Sequence, residues 1–306
     1  MEEIKLFCPA TIANLSCGFD VLGLCLDNVG DEMIVRKSSE KGIKITKIVG
    51  ADLPLETEKN VAGVAALAMF SNLNLDFGFE IEIYKKIKAG SGIGSSAASS
   101  AGAVFGINEL LGKPFSTKEL IPFAMEGEKL ASGSAHADNV APALLGGFVL
   151  VRSYNPLDII KIKSPDKLYA TVIHPQIELK TSDARSVLKQ NVTLKQAVMQ
   201  CGNLGGLISG LYTNDYELIG RSLNDEIVEP LRSVLIPKFD LVKRRAIENG
   251  ALGGGISGSG PSIFALSKGK KTAEKVAKAM SDVYEEMNLK YEIHVSKVNQ
   301  DGIKIL

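Results

Sequence analysis

Between residues 88 and 98 the chain reads Lys-Ala-Gly-Ser-Gly-Ile-Gly-Ser-Ser-Ala-Ala, and the segments on either side restrict how it can fold. Phe79-Glu-Ile-Glu-Ile-Tyr84 alternates apolar and polar side chains, the period-2 signature of a strand. Beyond Gly94, small residues from Ser95 to Gly102 continue through Val104, Ile107, Leu110 and Leu111, which predicts a helix with a small-residue face. Glycines at 90, 92 and 94 let the connecting backbone approach a ligand. The N–H groups of a first helical turn lack internal partners and carry partial positive charge, so an anion is favoured there. Hydroxyls at Ser95 and Ser96 can reach a phosphate oxygen or a magnesium ion. A glycine-serine linker or a tight strand–helix turn would look the same locally.

Other phosphate and nucleophile signatures fail. Gly112-Lys113 is followed by Pro114, so no Walker A loop is present. Gly253 to Gly258 satisfies GxGxxG, but a strand-like stretch follows it, where a dinucleotide fold needs a helix. No GxSxG elbow occurs. The three histidines are far apart and the four cysteines form no CxxC pair, which argues against a transition-metal site. Buried free thiols are expected. Thirty-five basic residues balance thirty-five acidic ones, so no positive excess points to a nucleic-acid partner. The acidic start does not read as a signal peptide, and the most apolar stretches, Val61–Phe70 and Ala143–Val151, are too short to cross a bilayer. No membrane partner and a cytoplasmic location are expected.

Forty-five per cent hydrophobic residues in 306 can build a large core, and the length suggests two domains at about 100–200 residues each. Ser116 and Glu119 have capping-box spacing and open a helix reaching about Ala131. Two prolines between Tyr154 and Pro165 mark the boundary, dividing the chain into 1–155 and 156–306. Leu168–His174 reads as a strand. From Thr193 a helix places apolar residues at 194, 197, 198, 201, 204, 208 and 211, a helical stripe. A helix ending at Gly250, a strand over Ser262–Ser267, a helix with Val276, Met280, Val283 and Met287 on one face, and a strand over Tyr291–Val298 complete the chain. Strands and helices without strict βαβ repetition predict an α+β protein of two layered domains.

Two further segments accompany the glycine loop: Pro9–Asp20 (PATIANLSCGFD) and Ile256–Ser262 (ISGSGPS). With Gly90–Ser99 (GSGIGSSAAS) and the stretch Glu128–Ala143, they resemble the GHMP small-molecule kinases, and within them the homoserine kinase family, from residue 4 to about 298. The resemblance implies a ribosomal-S5-domain-2-like N-terminal domain, a ferredoxin-like C-terminal domain, and an active site between them. It implies ATP as co-substrate, Mg2+ as the metal, L-homoserine as the acceptor and a possible homodimer, the family being often dimeric.

By matching position, the resemblance assigns the nucleotide to Lys88, Ala89, Gly90, Ser91, Gly92, Ile93, Gly94, Ser95, Ser96, Ala97 and Ala98, and, through an adenine-contact segment, to Asn60 with Val61. Ser96 and Glu128 match magnesium ligands. Asn14, Asp20, Asn139, Arg185 and Arg232 match the substrate pocket, and Ser96, Glu128, Thr181, Asn139 and Arg185 the catalytic set. These residue types suit a zwitterion: two guanidinium forks for its carboxylate, one carboxylate for its ammonium. Mevalonate kinase and galactokinase place an aspartate at position 139. Asparagine there implies phosphoryl transfer without a dedicated side-chain base, with magnesium, the loop amides and Thr181 stabilising the phosphoryl. Lys88 departs from the family pattern, which begins this loop with proline. A sister kinase acting on mevalonate or another alcohol, and a ligand sensor without catalysis, are the other readings.

Overall fold

The period-2 stretches form strands because each buries one face. β1 (Glu3–Ala13) and β2 (Leu22–Ser38) run antiparallel with Leu6 opposite Met33, both turned into the core. β3 (Gly42–Val49) crosses over through α1 (Val61–Phe70) to lie parallel to β4 (Gly78–Tyr84). This chain is described from a computed structural model, which covers residues 2–177, 179 and 181–306, with the side chains of Thr181 and Ser182 outside the described set.

α2 (Ser95–Leu110) packs on β1 and β2, with α1, α3 (Leu120–Ser132) and α4 (Val140–Leu145) around it. Its small-residue face is what permits this close packing. A Cβ on Gly102 would collide with Cys8 Sγ. The capping box expected before α3 is half present: the Ser116 N–H donates to Glu119 Oε2 at 2.7 Å, and regular helix begins one residue later.

The expected boundary at 155 needs correction. β5 (Phe148–Tyr154) and β6 (Leu157–Ile162) pair antiparallel, and β5 also pairs β2, so Asn155-Pro156 is the turn of a hairpin inside the first sheet. Strand pairing holds the chain in that sheet through Ile162, and residues 163–167 make the crossing.

The second sheet follows: β7 (Leu168–Pro175), then α5 (Thr181–Ser186), α6 (Leu194–Thr213), α7 (Tyr216–Ser222), α8 (Glu229–Arg232) and α9 (Phe239–Glu248), the hairpin β8 (Ala251–Ile256) and β9 (Ile263–Lys268), α10 (Lys270–Glu286) and β10 (Tyr291–Lys297). Its order is β10-β7-β9-β8, antiparallel throughout, the ferredoxin-like arrangement. β7 is buried along nearly all its length, Thr171 included, because both of its faces are covered. Leu168, Ala170 and Val172 join the core of the first sheet, whereas Ile173 joins a second core under α9 and α10. The chain then returns, and β11 (Lys304–Ile305) pairs with β1.

Two expectations fail at the surface. Of the stripe on α6, only Leu211 is buried and Leu204 and Ile208 pack partly against the core, while Leu194 and Val198 are 81% and 63% exposed; Leu207, outside the expected stripe, is buried as well. Cys201 on the same helix is exposed, although Cys8, Cys17 and Cys25 are buried free thiols as expected.

Candidate active site

The three glycine- and serine-rich segments meet. Thr11 N–H donates to Ile93 O at 3.1 Å, Ser257 Oγ to Gly92 O at 2.7 Å, and Ser262 Oγ to Ser91 O at 2.6 Å. The first and third segments therefore hold the carbonyls of residues 91, 92 and 93. Gly94 caps α2 with φ of 68°, and a Cβ there would collide with the Thr11 hydroxyl. Only glycine closes this turn without strain. The first-turn N–H groups of α2 open onto a cleft of about 350 Å³.

A buried ion pair holds the base of the loop. Lys85 Nζ bonds the Asp31 carboxylate, the Ser95 carbonyl at 3.0 Å and Ser99 Oγ at 3.1 Å. Asp31 Oδ1 accepts the N–H groups of Lys86 and Ile87 at 2.7 and 2.9 Å. Both side chains are only 2% exposed. Reading the sequence missed this pair, yet a signal was present: strand alternation sends 79, 81 and 83 inward, and position 85 follows the same face.

Of the residues assigned to the nucleotide, Ala89, Gly90, Ser91, Gly92, Gly94, Ser95 and Ser96 line the cleft. Ile93, Ala97 and Ala98 do not; they are buried and pack the helix start into the core. Lys88 does not line the cleft either, and its Nζ donates to Gln176 Oε1 at 2.6 Å. Asn60 is a structural cap. Its Oδ1 accepts from Ala62 N–H at 3.0 Å and its amide donates to Pro54 O, while Val61 and Leu53 reach the cleft.

Glu128, on α3, lines the cleft together with Ser96. Its Oε1 is buried without a partner among the described residues, and burial pushes the carboxyl up to about 7 against the opposing pull of Ser96 and Lys85. A buried carboxylate oxygen left unpaired beside a serine hydroxyl and a phosphate-type loop suits a hard divalent cation completed by nucleotide oxygens. Among the described residues no cluster of three or more His, Cys, Asp or Glu could hold a metal alone.

Asn14, Asp20, Asn139, Arg185 and Arg232 all line the same cleft. Asn14 also ties the first and third segments: its amide donates to Gly258 O at 2.6 Å and its Oδ1 accepts from Asp20 N–H at 3.0 Å. Arg232 is buried over the Phe19 ring, with Nε donating to Ala184 O at 2.8 Å and Nη1 to Gly258 O at 3.3 Å. Arg185 Nη2 stands 3.7 Å from Asp20 Oδ1. Asn139 Oδ1 accepts the Thr11 hydroxyl at 2.7 Å, which leaves the amide N–H groups as its free donors. Thr181 opens α5, and its side chain lies outside the described residues. Asp138 also lines the cleft, its carboxyl pushed up to about 8 by burial, then by Asp20 and Glu128. Asp138 and His136 are among the lining residues that matching did not assign, and Thr11 stands behind Asn139.

Comparison with known proteins agrees. Residues 60–147 match the GHMP kinases N terminal domain and residues 207–286 the GHMP kinases C terminal domain. The chain is 48% identical to a homoserine kinase of Chlorobium phaeobacteroides, over all of both chains. It is 38% identical to one of Xanthomonas campestris pv. campestris, over all of this chain and 95% of that one. The crystal structure of homoserine kinase from Cytophaga hutchinsonii superposes with a TM-score of 0.97 at 55% identity, covering 100% of this chain and 98% of that one. The crystal structure of L. major mevalonate kinase in complex with R-mevalonate shares the fold at a TM-score of 0.70 and 16% identity, over 97% and 95% of the two chains. The two family models, the full-length relatives and the shared architecture together place the chain in the homoserine kinase family of the GHMP kinases.

Proposed function

We propose that this kinase transfers the γ-phosphoryl of ATP to the hydroxyl of L-homoserine, giving O-phospho-L-homoserine. The observation that carries the reading is one cleft with two halves. A helix N-terminus with glycine loop and an unpaired buried carboxylate oxygen stand on one side, and two guanidinium groups with Asp20 on the other.

On the first side, the loop amides from Gly90 to Ser96 and the start of α2 bind the phosphates. Ser96 and Glu128 would hold magnesium, which supplies charge neutralisation on the phosphate oxygens when bound. On the second, Arg185 and Arg232 bind the substrate carboxylate and Asp20 its ammonium, so the hydroxyl is aimed at the γ-phosphate. Phosphoryl transfer depends mostly on such positioning and on charge stabilisation. Asn139 donates from its amide and cannot take a proton. Asp138 lines the same cleft, its carboxyl raised by burial and then by Asp20 and Glu128. Transfer therefore proceeds without a dedicated side-chain base, and Thr181 contributes its hydroxyl to the phosphoryl. A homodimer and a cytoplasmic setting belong to the same reading, and a solution mass of twice 32.6 kDa would bear out the first.

The test is ADP release by the purified chain with ATP and magnesium against homoserine, mevalonate, galactose and shikimate. Turnover with homoserine alone is expected. Turnover with mevalonate and none with homoserine would overturn the assignment.

A further inference from the structure

Arg185 enters the cleft from α5, and the group nearest its guanidinium is His136, in the turn between α3 and α4. Arg185 Nη2 lies 2.8 Å from His136 Nε2. A guanidinium has donors only, so Nε2 carries the lone pair and the ring proton sits on Nδ1. Nδ1 faces Asp20 Oδ1 at 3.8 Å. Tyr154 steadies the ring: the two meet edge-on, centroids 6.4 Å apart at 90°. The Tyr154 hydroxyl donates to Asp20 O at 3.0 Å and accepts the Ala137 N–H at 3.3 Å, so one phenol ties both neighbours of the imidazole. Among the described residues, Arg185 Nε is buried without a partner and Asp20 Oδ1 lies 3.7 Å from Nη2, so His136 makes its nearest contact.

We propose that neutral His136 is a positioning residue, which holds the Arg185 guanidinium in the orientation that receives the substrate carboxylate and releases it when the ring is protonated. The inference rests on Arg185 binding that carboxylate. An imidazolium would replace the Nε2 lone pair with a donor and set two cations 2.8 Å apart. The charged groups facing the ring oppose one another: Asp20 favours the cation and Arg185 disfavours it, while Tyr154 is neutral and Asp138 and Arg232 lie across the same cleft. Burial is the largest influence and keeps the ring below the ordinary imidazole range, so the neutral form prevails at neutral pH.

The test measures kcat and both KM values from about pH 5.5 to about 8.5 for the parent chain, His136→Leu, His136→Gln and Arg185→Ala. Losing an acceptor to a charged donor should raise the homoserine KM of His136→Leu about tenfold at the upper pH, with kcat and the ATP KM changed by less than about twofold. His136→Gln offers an acceptor oxygen that does not titrate, and should restore the KM to within about threefold of the parent's. The parent's homoserine KM should climb relative to that of His136→Gln as pH falls. Thermal unfolding of His136→Leu near the parent's midpoint excludes loss of fold as the cause. An unchanged homoserine KM in His136→Leu, or equal pH slopes for parent and His136→Gln, would overturn the positioning role. If Arg185→Ala itself leaves the homoserine KM unchanged, the carboxylate assignment is what falls.

Discussion

Replacing Glu128 by glutamine should stabilise the ligand-free chain while disabling it. Burial raises the carboxyl from its ordinary 4.5 to about 7, neighbouring Ser96 and the charge of Lys85 opposing. At about 1.4 kcal/mol per unit, that shift corresponds to about 3 kcal/mol. The sign follows from proton counting: between pH 4.5 and about 7 the folded chain keeps a proton that the unfolded chain releases. Stability therefore falls as pH rises through that window, and the full cost is present above it. Glutamine carries no charge and has no such cost. The variant should gain about 3 kcal/mol at about pH 8, or about 6 °C in unfolding midpoint, and nothing at about pH 4. The gain is reinforced because the Glu128 charge also helps raise Asp138. With ATP, magnesium and homoserine the same change should lower turnover by about 10²–10³. Thermal scans at the two pH values, without ligand, test the stability claim. A variant no more stable than the parent at about pH 8, or one whose gain persists at about pH 4, would refute the argument from burial.

Three other outcomes follow from the geometry. Lys85→Met leaves the Asp31 charge buried without its partner and should cost about 3–5 kcal/mol in urea unfolding. Adding Asp31→Asn, which keeps the acceptor for the Lys86 and Ile87 amides, should recover much of that loss, and no recovery would mean packing rather than charge is at stake. Gly94→Ala meets the Thr11 hydroxyl in a backbone conformation unsuited to a side chain, so calorimetric titration with a nonhydrolysable ATP analogue should show affinity lowered by about tenfold or more. Unchanged affinity would place the nucleotide elsewhere. Asn139→Asp should not raise kcat with homoserine, since it puts a carboxylate beside the phosphates and against a hydroxyl already bonded to position 139. A faster variant would show that the reaction lacks only a base.

Local pattern carried much of the architecture. Alternation from Phe79 to Tyr84, glycines at 90, 92 and 94, and small residues from Ser95 to Gly102 are each properties of neighbouring residues, and β4, the loop and α2 form where those properties require. The hairpin over β5 and β6 was misread because Asn155-Pro156 looks the same in a turn within a sheet as in a junction between domains. Only the partner strand distinguishes them. The exposed half of α6 was misread for a related reason, since a stripe of apolar residues records a periodicity and not whether anything covers it.

The candidate site divides in the same way. Sequence by itself determined which chemical groups the chain brings to it: a loop that can grip phosphate, a carboxylate with a serine, and two arginines with an aspartate. What each group is free to do was decided by tertiary structure alone. Asn60 and Lys88 are occupied by Pro54 and Gln176, Asn139 has given its oxygen to Thr11, and Glu128 retains an oxygen with no partner. The physical reason is that a polar side chain's availability, and the proton affinity of a buried carboxyl, depend on which groups surround it in space, and folding decides those neighbours, bringing Gln176 to Lys88 and Thr11 to Asn139.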